Sequence, residues 1–261
     1  MNAIYEPQGR AQEYSLLAAN LYTGCPHGCL YCYAPGALHR QRETFHADCG
    51  PRDGILEALS KDARNFRGDP RRVLLCFTCD PYPADLPVSH DVTRLAIQWL
   101  HRERLAVQVL TKGGTRACAD FDLYGPNDAF ATTLTWRTAE ESLEMEPRAA
   151  TPADRVAAIR TAKARGLQTW VSLEPVFEPT DALAWIDELQ DCVDLFKVGT
   201  LNHSPLAKAI DWRAFGIAAV EKLAALGKAY WIKRDLAKHI ADVPYRNTDT
   251  RTIRVPATPH V

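Results

Sequence analysis

Three cysteines within eight residues, Cys25, Cys29 and Cys32, constrain this chain more than anything else in it. Their C-x3-C-x2-C spacing lies in the stretch Cys25-Pro-His-Gly-Cys29-Leu-Tyr-Cys32, which runs on into Tyr33-Ala34-Pro35. The apolar run from Leu16 to Tyr22 comes just before and reads as a buried strand. Three thiolates converging from one short loop are metal ligands far more often than structural cysteines, because close thiols without a metal oxidise or repel. Four would complete an ordinary cubane iron–sulfur cluster, and three leave one iron open. A Cys3His zinc site using His27 or His39 is the other metal chemistry available. Structural zinc knots usually add a second ligand pair at fixed spacing, and none stands beside this loop.

At 261 residues the chain is long enough for one large core, and 46% hydrophobic with 24% charged residues is a globular composition. No basic and apolar leader is visible, and no apolar run is long enough to span a bilayer, so a cytoplasmic protein without a membrane partner is expected. Eight cysteines then read as reduced thiols and metal ligands rather than disulfides. A net charge of −1 makes no general case for nucleic acid. From Lys228 onward seven Lys and Arg face three Asp and Glu. Arg246, Arg251 and Arg254 there form either a phosphate-neutralising patch or a solvated terminal segment.

Apolar runs and helical periods alternate along the rest. Residues 53–67 and 89–104 read as helices, and 73–78 and 105–111 as strands. A strand at 130–135 follows the turn Gly125-Pro126-Asn127-Asp128. Thr151-Pro152-Ala153-Asp154 is a helix start, with a cap, Pro in the first turn and a carboxylate three residues on. Residues 169–173, 193–198 and 229–232 complete the strands, with helices at 181–190 and from Asp211 to Leu226. Six or seven strands alternating with helices, and no interior linker, predict a single α/β domain with a parallel sheet. The period alone leaves a doubly wound sheet and a barrel both open. The expected divisions are an arm over 1–14, the domain over 15–240 with the cysteine loop at 25–32, and a tail over 241–261.

C-x3-C-x2-C with an aromatic residue before the third cysteine resembles the signature of the radical S-adenosylmethionine superfamily. The run Cys29-x-Tyr31-Cys32-Tyr33 is most similar to its spore photoproduct lyase branch. The resemblance implies a partial (β/α)6 TIM-like barrel with its site at the C-terminal strand ends. It implies a [4Fe-4S] cluster held by Cys25, Cys29 and Cys32, with S-adenosylmethionine on the open iron. Reductive cleavage would give a 5′-deoxyadenosyl radical, with an electron supplied by a partner such as flavodoxin or ferredoxin. The branch also implies a thymine-derived base in DNA or a modified nucleotide as substrate, for lesion repair or for rearrangement of a hypermodified thymidine. A peptide or small metabolite remains the alternative, and a non-catalytic zinc or iron–sulfur module the third possibility.

Residue by residue, the resemblance sets Tyr31 near the adenine. Thr78 and Asp80 stand where the family binds the cofactor amino group, although the usual Gly-Gly-Glu is absent. Lys112 would pair with the cofactor carboxylate, and Ser172 and Glu174 would take the ribose hydroxyls. Cys79, with Tyr33, is the candidate hydrogen-atom donor to a substrate radical. Lys197 and Lys233 either hold anionic substrate groups or pair with Glu174 and Asp235. Tyr82, Trp136 and Trp231 are candidate base-stacking aromatics at the rim. A second cluster from Cys49, Cys76, Cys79 and Cys118 would need a convergence that the spacing does not suggest.

Overall fold

A computed structural model describes residues 2–84, 89–202 and 204–253. Arg254, named above, lies outside the described residues. The strands are β1 (Ile4–Tyr5), β2 (Leu17–Ala19), β3 (Val73–Leu75), β4 (Val107–Thr111), β5 (Ala129–Thr133), β6 (Gln168–Leu173), β7 (Leu195–Val198) and β8 (Ala229–Ile232). They form one sheet in strictly sequential order, with β2 to β8 parallel and β1 antiparallel on the edge of β2. Among the described residues the sheet has two ends and does not close.

The helices between them are α1 (Ala34–Ala37), α2 (Arg42–Ala47), α3 (Ile55–Asn65), α4 (Ser89–Arg102), α5 (Ala139–Met145), α6 (Pro152–Ala164), α7 (Pro179–Leu189), α8 (Trp212–Ala225) and α9 (Arg234–Ala237). The side chains of Thr151 and Asp211 cap α6 and α8 by accepting from the backbone of Asp154 and Ala214, as the sequence suggests. Helix α5 was not anticipated. Thr138 caps it by accepting from Glu141 N.

Alternate residues of each strand serve two different cores. Leu17, Val73, Leu75, Val107, Val109, Phe130, Val171 and Phe196 face the helices, where Leu59, Ile97, Ile159, Ile186 and Leu223 cover them. Ala18, Leu74, Ala129, Ala131, Trp170 and Leu195 pack together on the other face. Small residues on that face suit the narrow inside of a barrel. Tyr14 shows how tightly the sheet curls. Its ring meets Phe77 just after β3 at 6.1 Å, Trp170 in β6 at 6.0 Å, and the ammonium of Lys233 just after β8 at 3.6 Å. In a flat sheet β3 and β8 would stand roughly 24 Å apart at the usual strand spacing. The architecture is a partial TIM-like barrel with seven parallel strands, one more than the (β/α)6 count.

Two terminal segments complete it. Residues 2–14, in the stretch expected as an N-terminal arm, include the edge strand β1 and carry Tyr14 into the barrel. Toward the C-terminus, Asn247 and Thr248 bond to the backbone of Ile232 and Tyr230 on the free edge of β8. Arg251 O and Ile253 N then bond to Arg72 and Pro70 ahead of β3. This strap spans the open seam at the bottom of the barrel. Arg251 takes part in it, bonding Asp249 and Gln12 O and lying 4.6 Å over Trp231.

Candidate active site

The cysteine loop follows β2, at the C-terminal mouth. Its carbonyls are engaged one after another: Arg42 donates to Cys29 O and Cys32 O at 2.9 Å each, Arg148 N to His27 O at 3.1 Å, and His46 Nδ1 lies 2.8 Å from Cys25 O. Gly28, at φ +70°, makes the reversal between the first two cysteines, a conformation that disfavours any other residue. The protein therefore shapes this loop by its backbone, and the backbone of His27 and of Ala34 also hydrogen-bonds the Cys25 and Cys32 thiols. Burial pushes the Cys29 thiol up to about 11 and holds Cys25 and Cys32 above the usual thiol range. Thiolates form in such surroundings only beside a cation or metal, and an all-sulfur donor set suits iron–sulfur chemistry.

Among the described residues no three His, Cys, Asp or Glu side chains stand close enough to hold a single ion. His27 turns its Nδ1 toward Asp80 Oδ2, at 3.6 Å, and His39 is exposed. Of the cysteines weighed for a second cluster, Cys76 and Cys79 are buried, whereas Cys118 lies on the turn Gly114–Asp120 after β4.

Asp80 is a buried tie between two strand ends. Oδ1 accepts from Tyr82 N at 2.8 Å and Thr111 Oγ1 at 2.6 Å, and Oδ2 from Lys112 N at 2.7 Å. It thereby fixes the backbone that carries Lys112. Thr78 is half-buried, its N–H held with that of Phe77 by Asn20 Oδ1. The Lys112 ammonium stands 5.2 Å over the Tyr31 ring and 3.8 Å from Glu146 Oε1. Burial works against its charge, but Cys29 and Glu146 outweigh it and raise Lys112 above the ordinary lysine value. Tyr31 OH donates to Glu146 Oε1, Arg155 to Oε2, and Ser142 to Oε2 at 3.2 Å.

Across the mouth, Ser172 is the last residue but one of β6, and Glu174 follows the strand. Tyr14 OH lies 3.0 Å from Ser172 Oγ and donates to Glu174 Oε2 at 3.0 Å. Lys233 also pairs with Oε2, and Asn202 donates to Oε1 at 3.2 Å. Of the two readings of Lys233, pairing with Glu174 is the one observed. Lys197 has neither of its expected partners: its ammonium donates to Glu13 O at 2.8 Å and Tyr14 O at 2.9 Å, 4.7 Å over the Trp170 ring.

Tyr33 is 55% exposed at the mouth, its hydroxyl donating to Phe77 O at 2.8 Å. Cys79 belongs to the helix-side core with Tyr22, its thiol against that of Cys76. Tyr82 is buried and bonds Asp120, so it offers no face at the rim, and Trp231 lies beneath Arg251. Trp136 does line a surface. It stacks on Phe177 at 4.6 Å, and Phe177 meets Tyr31 at 5.7 Å. Beyond this pair an apolar cleft of about 630 Å³ opens, lined by Leu183, Leu206, Ile210 and Phe215, with Glu178 and Asp211 among its walls.

No protein-family model matches the chain. An uncharacterised protein of Acidianus two-tailed virus is 29% identical over 181 residues, covering 62% of this chain and 56% of that protein. SuiB of Streptococcus suis, solved with S-adenosylmethionine bound, superposes over 88% of this chain with a TM-score of 0.64 at 8% identity. A spore photoproduct lyase variant, solved with dinucleoside spore photoproduct, superposes over 78% with a TM-score of 0.60 at 17% identity. The fold is shared with SuiB and with spore photoproduct lyase. This chain spans 61% of the lyase and 53% of SuiB, less than two thirds of either.

Tyr14, Glu146 and Arg155 join these constellations without any signal in the sequence reading. Tyr14 lay in a polar arm, and Glu146 and Arg155 flank a helix start whose capping pattern already accounted for the local residues. Glu146 does precede a proline next to an acidic helical stretch, but nothing local reveals that its carboxylate turns inward.

Proposed function

We propose that this protein is a radical S-adenosylmethionine enzyme. The observation that carries the reading is the three-thiol loop at the mouth of a partial barrel sharing its fold with SuiB and spore photoproduct lyase. Cys25, Cys29 and Cys32 would hold a [4Fe-4S] cluster. When bound, the cluster and S-adenosylmethionine would supply one-electron cleavage of a sulfonium and abstraction of a substrate hydrogen. The chain's own residues bind and orient. Lys112, fixed through its backbone N–H by Asp80, presents a cation to the cofactor carboxylate. Tyr31 presents a ring whose hydroxyl is pinned by Glu146. Ser172 and Glu174 offer acceptors to the ribose, and Tyr33 faces the substrate side. Electron supply from a flavodoxin or ferredoxin belongs to this reading.

For the substrate we favour a thymine-derived base in DNA or a nucleotide, extruded from any duplex before reaction. The likeness to a lyase solved with a dinucleoside lesion and the Trp136–Phe177 platform support it. One feature favours a peptide or small metabolite instead: the neighbouring cleft is apolar with two carboxylates in its walls, which suits a neutral or cationic group better than phosphodiesters. Anaerobic reconstitution, with 5′-deoxyadenosine measured, tests the reaction class. Mass spectrometry of incubations with thymine lesions, hypermodified thymidines and peptides tests the substrate. Absence of 5′-deoxyadenosine under reducing conditions would sink the proposal.

A further inference from the structure

Beyond the Trp136–Phe177 pair, the apolar cleft runs between the N-terminal ends of α7 and α8. We infer that this cleft is a docking groove for a partner polypeptide, one that inserts leucine-like side chains flanked by lysine or arginine. The inference stands apart from the cofactor chemistry, because no residue assigned above to the cluster or to S-adenosylmethionine lines the cleft.

Floor and rim differ in kind. Phe215 is buried at the floor, with Leu183 and Ile210 half-buried beside it. Leu206, on the turn Pro205–Ala209, is 61% exposed, more than any other large hydrophobic side chain among the described residues. Contiguous apolar surface left in water and rimmed by polar groups marks an interaction site. Ala214 and Ala218 share one face of α8 and keep that wall low, so a helix or an extended segment has room to lie along it.

The rim is acidic. Glu178 precedes α7 at its N-cap position and Asp211 caps α8, both are exposed, and among the described residues no basic side chain lines the cleft. Arg137 and Arg213, next in the chain to Trp136 and Ala214, are engaged elsewhere, with Glu188 at 2.8 Å and Asp242 at 2.6 Å. Asp181, in the first turn of α7, senses the same field. Burial, then the negative charges of Glu141 and Glu178, raise its carboxyl above the ordinary 3.8 despite Arg137. An anionic rim over an apolar floor complements a basic amphipathic segment and repels phosphodiesters. Because the two carboxylates start different helices, an occupant that meets both carries cations on either side of an apolar centre. A run of residues does so, and a single small amine does not.

The probe is a synthetic peptide, acetylated and amidated, with leucines at helical spacing and lysines between them; a second peptide has glutamate in place of each lysine. In fluorescence anisotropy against the full chain, wild type should bind the leucine–lysine peptide at least about tenfold more tightly than the leucine–glutamate one. Leu206→Gln should weaken the first peptide about tenfold through lost apolar burial, and Glu178→Gln about threefold through a lost rim charge. Both side chains are exposed, so the fold should tolerate either change. Leu95→Gln, at a leucine 40% exposed on α4, is the control and should bind as wild type does. Hydrogen exchange should show protection by the peptide confined to residues 177–183 and 205–218. No binding by wild type, equal affinity for the two peptides, or affinity unchanged in both variants would overturn the inference. So would binding of a single-stranded oligonucleotide, or a monomer–dimer equilibrium, that Leu206→Gln abolishes, since either names a different occupant.

Discussion

Tyr31, the residue before the third loop cysteine, donates its hydroxyl to Glu146, a carboxylate 115 positions away with only 1% of its surface exposed. Arg155, equally buried, closes on the other oxygen. The cysteine loop, the Lys112 strand end and α6 therefore meet at one buried anion. Removing one partner of a buried pair strands the other charge, typically at a cost of about 3–5 kcal/mol. Glu146→Ala should lower stability by that amount in urea denaturation of the metal-free chain. Glu146→Leu combined with Arg155→Met should cost less than Glu146→Ala alone, because no charge is left without its counterpart.

The same anion sets an acid limit. Burial by itself would raise the Glu146 carboxyl, but Arg155 and Lys112 outweigh it and hold it below its ordinary 4.5. A carboxyl depressed in the folded state stabilises fully above the unfolded value. That contribution is lost as pH falls through the folded one. Urea midpoints of wild type and Glu146→Gln should therefore converge as pH drops from about 6 to about 3. Parallel curves would show that Glu146 is not the linked group.

Gly114 sits at φ +61°, and a Cβ there would come within 1.9 Å of Asp154 Oδ2 and 2.6 Å of Ala150. Asp154 in turn receives Thr115 N at 3.0 Å and Thr115 Oγ1 at 2.7 Å, locking the turn after β4 to α6. Gly114→Ala combines left-handed strain of about 1–2 kcal/mol with displacement of that carboxylate. A loss above about 2 kcal/mol is expected from chemical denaturation. Gly36→Ala, with nothing near its Cβ and no positive φ, is the control and should change little.

The cysteine loop, Tyr14 and Glu146 mark where sequence reading succeeds and where it stops. The alternation of apolar runs and helical periods sufficed for β2 to β8, because a parallel strand covered on both faces is apolar throughout and the helices between carry capping signals. The cysteine loop was legible because its chemistry lies within eight consecutive residues. Tyr14 and Glu146 were not. Each acts at the far end of a contact spanning more than a hundred residues, and neither local period nor composition records where such a side chain is pointed. Edge strand β1 escaped for a related reason: two residues carry too little pattern to be read alone.

Lys197 offers a test at alkaline pH. Burial, then the like charges of Lys233 and Arg251, hold its ammonium well below the ordinary 10.5. The folded chain then gives up this proton before the unfolded chain does, so stability rises with pH through the window below 10.5. Lys197→Met lacks that term. The stability gap between wild type and variant should widen in favour of wild type from about pH 7 to about pH 10, by at most about 1.4 kcal/mol per pH unit. A gap that stays constant would mean that the lysine remains charged in the barrel.

Cys29 and Cys79 should respond oppositely to substitution by alanine. Cys29 belongs to the loop whose carbonyls are already held by Arg42 and Arg148, so the loop keeps its shape when one thiol is removed. Cys29→Ala should leave the stability of the metal-free chain within about 1 kcal/mol of wild type while abolishing iron and sulfide uptake, measured by metal analysis and visible absorbance. Cys79 packs against Cys76 and Tyr22 on the helix side of β3, away from the face that Tyr14 and Trp170 fill. Cys79→Ala should take up the cluster normally and cost about 1 kcal/mol in packing. Cys79 is buried and Tyr33 exposed, so Tyr33→Phe rather than Cys79→Ala is expected to alter the products. A diverted product from Cys79→Ala at full cluster occupancy would require the loop after β3 to turn this thiol inward during turnover, and would restore it as the hydrogen donor.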